Sequence, residues 1–366
     1  MSRLENPLQL DGHAQWLAQA RQFGGQHWVA NARCTVCCSD AGTPAIPVTR
    51  LSALRPEDSY VASPRAAWLH YPRREAARHG HTSRWLASAA GGPLGGLISA
   101  ARLDSAWHVN NWLIATNLHP QWSDNELTLL TDTLLARQPD APLLLRNVCE
   151  AANPGLPALL QAQGWQLLPA RQVYLCQPGD AAVWQLPNVR QDQKLLDGSG
   201  LTVLGPAQLR EADLPALQQC YRLLFLEKHS PLNPDFTLAF FRLCLQQRFI
   251  DLYALTLDGR IVGCLGLYQR YGWASSPLLG YDTRLPASLG LYRQLMALQL
   301  RLARDAGLQL HYSSGAGDFK RRRGGQAQLE YSAVFAHHLH GRHRLALSTL
   351  ATLLHRAATP LLQRYG

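Results

Sequence analysis

Charge is scarce in this chain: 16% of its residues are charged, against 47% that are apolar. That balance excludes a disordered polyelectrolyte, which needs high charge and few apolar residues. There is also no run of the roughly 18 apolar residues from which a membrane span would be read. Met1 to Gln26 has no apolar core behind a basic start, so no secretory leader is read there and a cytoplasmic location is expected. Cys34, Cys37 and Cys38 cluster, but the other cysteines of the eight are scattered singly. A zinc site would need a second nearby pair, so no metal is expected and the thiols read as reduced. The glycines of Gly91-Gly-Pro-Leu-Gly-Gly96 have no following Lys-Ser/Thr, which excludes a P-loop; the segment reads as a break between helices. His337, His338 and His340 lie on a strand-like stretch, where alternation sends neighbours to opposite faces and spoils a ligand set.

What is present begins with length. The 366 residues are enough for about two domains. The formal net charge of +10 favours anionic partners: phosphates, nucleic acid or an acidic carrier protein. Part of it is concentrated in the run Lys320 to Arg323, with Arg342 and Arg344 soon after.

The sequence repeats itself in shape at an offset of 165 residues. In the first half Asn111 to Asn117 reads as a strand. Ser123 then opens a periodic helix, with Glu126 completing a capping box, and Leu143 to Cys149 reads as a buried strand. In the second half Ser276 to Asp282 reads as a strand, Ser288 as the cap of a helix ending near Gly307, and Leu308 to Ser313 as the next strand. Trp165 to Leu175 matches Glu330 to His340 in the same way. Ala212 to Glu227 and Asp235 to Gln247 look helical, and Asp258-Gly259 is a hairpin turn between two strands. The polar, Pro- and Gly-containing stretch 178–200 reads as a linker. The expected fold is therefore α/β with a mixed sheet, in two similar halves: 1–177, then the linker, then 201–366.

Helix–helix–hairpin–strand–helix–strand is the element order of the GNAT acyltransferase fold. Ser314-Gly-Ala-Gly-Asp-Phe-Lys-Arg-Arg-Arg-Gly324 followed by Glu330-Tyr-Ser-Ala-Val-Phe335 resembles the "FK…G…EY" signature of the BioF2-like or CelD-like branch of GNAT proteins. Gly280-Tyr-Asp-Thr283, Gly290-Leu-Tyr-Arg293, Asn233-Pro234 and Arg171-Gln-Val-Tyr-Leu175 fit the same branch. These proteins are related to the FemAB peptidyltransferases, which carry two tandem GNAT domains. The resemblance implies an N-acyltransferase using a thioester of CoA or of an acyl carrier protein, and a small amine acceptor. One feature departs from the family: where a standard GNAT has a glycine-rich pyrophosphate loop, Arg284 to Tyr292 keeps only Gly290. FemAB-like relatives lose this loop too, and many use aminoacyl-tRNA, so a tRNA-dependent transferase is the alternative. An inactive GNAT scaffold is a third reading.

Acyl transfer to an amine needs a proton acceptor and donors for the oxyanion. Tyr281 and Asp282 end a strand beside the expected splay, with Asp282 a possible base or a strand-end turn residue. Lys320 could meet an anionic group or lie solvated in its basic run. Glu330 is a possible base, or a carboxylate paired with an arginine of 321–323. Donor phosphates are expected at the helix start, around Arg284, Ser288, Gly290, Leu291, Tyr292 and Arg293. No glycine lies between Leu118 and Thr128, so the first half is assigned to the acceptor or to architecture. Asn110, Asn111 and Asn117 are either acceptor-binding or a structural amide network.

Overall fold

The computed structural model describes residues 7–39, 45–78 and 91–365. Their strands are β1 Cys34–Cys38, β2 Pro47–Leu51, β3 Trp107–Val109, β4 Leu143–Val148, β5 Gln166–Cys176, β6 Thr202–Leu204, β7 Asp251–Leu257, β8 Arg260–Arg270, β9 Trp273–Tyr281, β10 Gln309–His311 and β11 Gln326–Phe335. They form one 11-stranded mixed sheet in the order β1-β2-β3-β4-β11-β5-β10-β9-β8-β7-β6.

Local chemistry accounts for several of these elements. Asp258 (φ 49°) and Gly259 (φ 76°) both take the left-handed conformation that a two-residue hairpin turn demands, and they join β7 to β8. Ser123 and Glu126 form a reciprocal capping box that starts the helix Asp124–Arg137. That helix carries the chain from β3 to the parallel strand β4. The helix Leu291–Asp305 carries it from β9 to the parallel strand β10. Trp107 pairs with Leu143 and Trp273 with Gln309, so both crossover units repeat with a true offset of 166 (273 minus 107, and 309 minus 143).

The two halves are not laid side by side. β5, the last strand of the first half, runs antiparallel to β10 of the second. β11, the last strand of the second half, runs between β4 and β5. The exchange leaves one continuous sheet with its polar seam at β4, β11, β5 and β10.

Four readings are corrected. Residues 111–117 are a buried loop, and the strand ends at Val109. The segment 91–96 begins a helix, Gly91–Ala100, that packs into the core through Ile98. The stretch 178–200 is largely helical (Ala181–Gln185 and Pro187–Gly198), and Val189 and Leu196 share a core with Leu291, Leu295 and Met296 of the second crossover helix. That crossover helix starts at Leu291, capped by Gly290 at φ 60°, while Ser288 lies in the preceding 3₁₀ turn.

Candidate functional site

Each crossover unit makes a fork where two parallel strands part. In the second half β9 pairs with β10 only at residues 273–275. Beyond that point β10 turns away: the Tyr312 N–H donates to the Tyr174 carbonyl and the Tyr174 N–H to the Ser313 carbonyl, so 312–313 bond to β5. Residues 278–281 of β9 pair with β8 on one edge, and among the described residues no strand pairs with the other edge beyond Ser275.

The first fork is filled by its own chain. The loop 110–119 is buried throughout most of its length. His119 Nε2 lies 2.6 Å from the Arg146 carbonyl, the Asn117 N–H donates to Asn147 Oδ1 (2.9 Å), and Asn147 Nδ2 donates to the Ala115 carbonyl (3.2 Å). A buried loop must satisfy its polar backbone, and the three asparagines do so. Asn110 accepts from Trp112 Nε1 and donates to the Leu118 carbonyl. Asn111 donates to Thr49 Oγ1 and the Val61 carbonyl. Asn117 accepts from the Trp112 N–H and donates to Asn147. Asn110, Asn111 and Asn117 are therefore the structural network, with no amide left for an acceptor.

The seam between the forks holds the strongest electrostatics. Glu330 lies on β11 directly opposite Arg171 on β5, where the register between the strands shifts at Glu330/Tyr331. Such bulges re-aim side chains. Glu330 is 1% exposed and accepts from Arg171 Nε (2.5 Å), Arg171 Nη2 (3.3 Å) and Asn147 Nδ2 (3.0 Å), with His311 Nε2 at 3.5 Å. Burial alone raises its pKa, but the Arg171 charge and the hydrogen bonds from His311 and Arg171 bring it down to about 2. His311 is held below its ordinary range by burial, against the pull of Glu330. Its Nδ1 accepts from the Ser313 N–H, so the neutral ring carries its proton on Nε2, toward Glu330. Glu330 is thus paired with Arg171, not with an arginine of 321–323, and a carboxylate ionised so firmly is a poor base at neutral pH.

Lys320 sits at the open end of β10. Ser313 (φ 61°) and Ala316 (φ 52°) turn the chain sharply into the helix Gly317–Arg321. Lys320 then reaches back, and its Nζ donates to the carbonyls of Ser314 (2.6 Å) and Ser313 (3.3 Å) over the ring of Tyr174. It is 4% exposed, and burial, aided by the Arg171 charge, lowers it to about 7. The basic run is not a uniform solvated patch. Arg321 and Arg322 are exposed, but Arg323 is buried and shares the buried carboxylate of Asp192 with Arg293 (both 2.6 Å).

The remaining donor-side residues cluster at the mouth of the second fork. Leu291, Tyr292 and Arg293 form the first turn of the crossover helix, with Leu291 in the core and Tyr292 packed on Phe319 (4.9 Å). Burial pushes the Tyr292 phenol up to about 12. Arg293 is committed to Asp192. Arg284 and Asp282 hold each other through two hydrogen bonds of 2.8 Å. The hydrogen bonds from Arg284 lower the Asp282 pKa, which corrects its reading as a base. Tyr281 ends β9 with its hydroxyl 3.4 Å from Lys228 Nζ. Gly280 is required by close approach: a Cβ there would lie 2.4 Å from the Cys220 carbonyl oxygen.

Arg171, Asn147, Arg146, Asp192 and Lys228 carry much of this arrangement without having been singled out for it. Their signal in the sequence is thin: Arg146, Asn147 and Arg171 interrupt largely apolar strands, Asp192 and Lys228 lie among other polar residues, and their partners lie far along the chain. Among the described residues no group of three metal-ligating side chains comes together.

Residues 186–322 match the family model described as Acetyltransferase (GNAT) domain. A comparison with curated proteins finds none that matches the sequence. Among solved structures, the fold is similar to the C-terminal DUF2156 domain of a candidate lysylphosphatidylglycerol synthetase from Agrobacterium fabrum. Identity is 14%, the match covers 93% of this chain and 97% of that one, and the TM-score is 0.51. It is similar to L-PGS from Bacillus licheniformis (11% identity, 92% and 96% covered, TM-score 0.51). It is also similar to FemX (9% identity, 91% and 97% covered, TM-score 0.51). Residues 186–322 thus form a GNAT-like segment, and the fold of the whole chain is similar to those of these structures. In this chain that architecture sets two crossover units in one continuous sheet.

Proposed function

We propose that this protein is an N-acyltransferase whose acyl donor, a thioester on CoA or a carrier protein, lies in the fork between β9 and β10 and acylates an amine. The observation that carries the reading is the asymmetry of the forks: 276–281 offer a strand edge that no other strand among the described residues occupies, whereas the first fork is filled by the loop 110–119. N–H groups on that edge supply fixed donors for a tetrahedral oxyanion. The first turn of the helix at Leu291 directs its unpaired N–H groups toward phosphates or another anion. Lys320 supplies the proton acceptor: with a pKa of about 7 it is substantially a free amine near neutrality. The first half positions the acceptor side, and a cytoplasmic location keeps the eight free thiols reduced.

A second reading has its own support. The loop before the helix keeps a single glycine, and the whole-chain fold is shared with FemX, so aminoacyl-tRNA is the alternative donor. Purified protein offered acyl-CoA, acyl carrier protein or aminoacyl-tRNA, with amines and mass-spectrometric detection, separates them. Lys320→Ala should lower kcat about 100-fold and abolish the inflection near pH 7. Lys320→Arg, which keeps the charge but cannot give up its proton, should be equally poor; near-normal turnover in that variant would reduce Lys320 to a fixed cation. Arg322→Ala should matter only with tRNA, by weakening binding and flattening its salt dependence.

A further inference from the structure

The C-terminal helix runs from Gly341 to Arg364, through a π-turn at Leu354–Ala358. One face is core: Ala346, Leu347, Leu350 and Leu354 pack with Leu144, Leu168 and Val334. His355 Nε2 at 2.9 Å from the Leu167 carbonyl ties the helix to β5. The other face is not covered. Every fourth residue along it, Leu345, Thr349, Leu353, Ala357 and Leu361, is exposed. Leu345, Leu353 and Leu361 are 69%, 47% and 59% exposed, three of the seven large exposed hydrophobics among the described residues. Beside this uncharged ridge runs a second exposed one, Arg344, Ser348, Thr352 and Arg356, with Arg342 at its start. From Gly341 to the end of the chain there is no aspartate or glutamate.

We infer that this face lies along the surface of an anionic lipid bilayer, the leucines entering the acyl boundary and the arginines meeting lipid phosphates. The argument is the pairing of the ridges. A purely apolar face would suit many partners, but an apolar ridge flanked by cations with no acidic residue selects a surface that is apolar inside and negative outside. A second copy of the chain is disfavoured by the same charges: the helix offers no acidic residue to meet them, and packing leucine ridge on leucine ridge about a two-fold axis perpendicular to the helices brings the arginine ridges together uncompensated. Although the helix is long and apolar enough to cross a membrane by composition, its core face would have to leave the fold and Arg356 would enter the hydrocarbon. Lying on the surface costs neither. The ridge from Leu345 to Leu361 is about 24 Å long at 1.5 Å per residue, a contact long enough to fix the orientation of the whole sheet.

The test is co-sedimentation of the full chain with vesicles of phosphatidylcholine alone or mixed with phosphatidylglycerol, at low and high salt. Binding is expected only to the anionic vesicles and should weaken with salt. Replacing Arg342, Arg344 and Arg356 with alanine should weaken it about 100-fold, at roughly a fivefold loss per arginine. A Leu345→Ser/Leu353→Ser/Leu361→Ser variant should lose most of it, while thermal melts of both variants stay within a few degrees of the parent, because the sites are exposed. No binding to anionic vesicles, or equal binding to phosphatidylcholine alone, overturns the inference. So does unaltered binding by the serine variant. A concentration-dependent dimer that the serine substitutions dissociate would assign the face to a second copy instead.

Discussion

Glu330 and Arg171 show how one residue's meaning changes with its partner. In the sequence Glu330 is an acidic residue beside a tyrosine and three residues beyond an alanine; in the fold it is a fully buried anion held by a guanidinium, an amide and an imidazole. Removing only the carboxylate leaves Arg171 beside Lys320 and Arg146 without its counter-ion. Glu330→Gln should therefore cost about 3–5 kcal/mol in urea unfolding. Glu330→Gln with Arg171→Met should cost clearly less than the sum of the two single changes, because the isolated charge is then gone. Additive losses in the double variant would show that the pair contributes nothing as a pair.

At the scale of elements, the strand exchange dominates. β11 reaches the sheet between β4 and β5, and in the strand order β5 separates it from β10. A fragment of residues 201–366 would keep β6 to β10 and the hairpin but lose both neighbours of β11, along with the Arg171 and Asn147 that satisfy Glu330. Such a fragment should show no cooperative unfolding transition by circular dichroism. Mixing it with residues 1–200 should restore one, since the two pieces supply each other's missing strands. A cooperative melt for 201–366 alone would mean that β11 can pair within its own half. The 178–200 stretch reads as a linker because most of its polar residues face outward, but Val189, Leu196 and the buried Asp192 anchor it to the second crossover helix.

For the whole molecule, buried titratable groups bound the pH range of stability from both sides. Burial, with the nearby Arg146 charge, lowers His108 from 6.5 to about 3, and burial lowers His119 to about 4. Between about pH 6.5 and those values the unfolded chain binds protons that the folded one refuses, so stability falls as pH drops, by about 1.4 kcal/mol per pH unit for each group. Glu330, ionised down to about 2, adds a further loss once the unfolded carboxylate begins to titrate near 4.5. On the alkaline side burial raises Cys34, Cys176 and Cys220 from 9.0 to about 12 and Cys149 to about 11. There the unfolded chain loses thiol protons that the folded one keeps, so stability falls again above about pH 9. Lys320 has the opposite sign: it releases its proton near 7 in the fold and near 10.5 unfolded, so it contributes a rise from pH 7 upward. Melting temperatures across pH 4 to 10 should trace a dome with its top between about 7 and 9, and Lys320→Met should flatten its neutral flank. A melting temperature that stays level from pH 7 down to 4.5 would contradict the buried neutral histidines.

What the sequence determined by itself is what short-range chemistry decides. The Ser123–Glu126 capping box, the Asp258-Gly259 turn and the two crossover helices all rest on residues within one or two turns of each other, and each is found where the pattern puts it, except that the second crossover helix starts at Leu291 rather than after Ser288. The duplicated strand–helix–strand order was legible for the same reason, although alternation of apolar residues could not tell the buried loop 111–117 from a strand. Tertiary structure decided the rest. Arg171 and Glu330 are 159 residues apart, Asn147 and Glu330 183, and Asp192 and Arg323 131. Whether Lys320 is a solvated cation or a buried amine near neutrality depends on its burial and on the Arg171 charge, which the placement of β5 beside β10 brings to it. Local spacing carries no record of such pairings, because they are selected by the cost of burying either charge without its partner when the two halves close into one sheet.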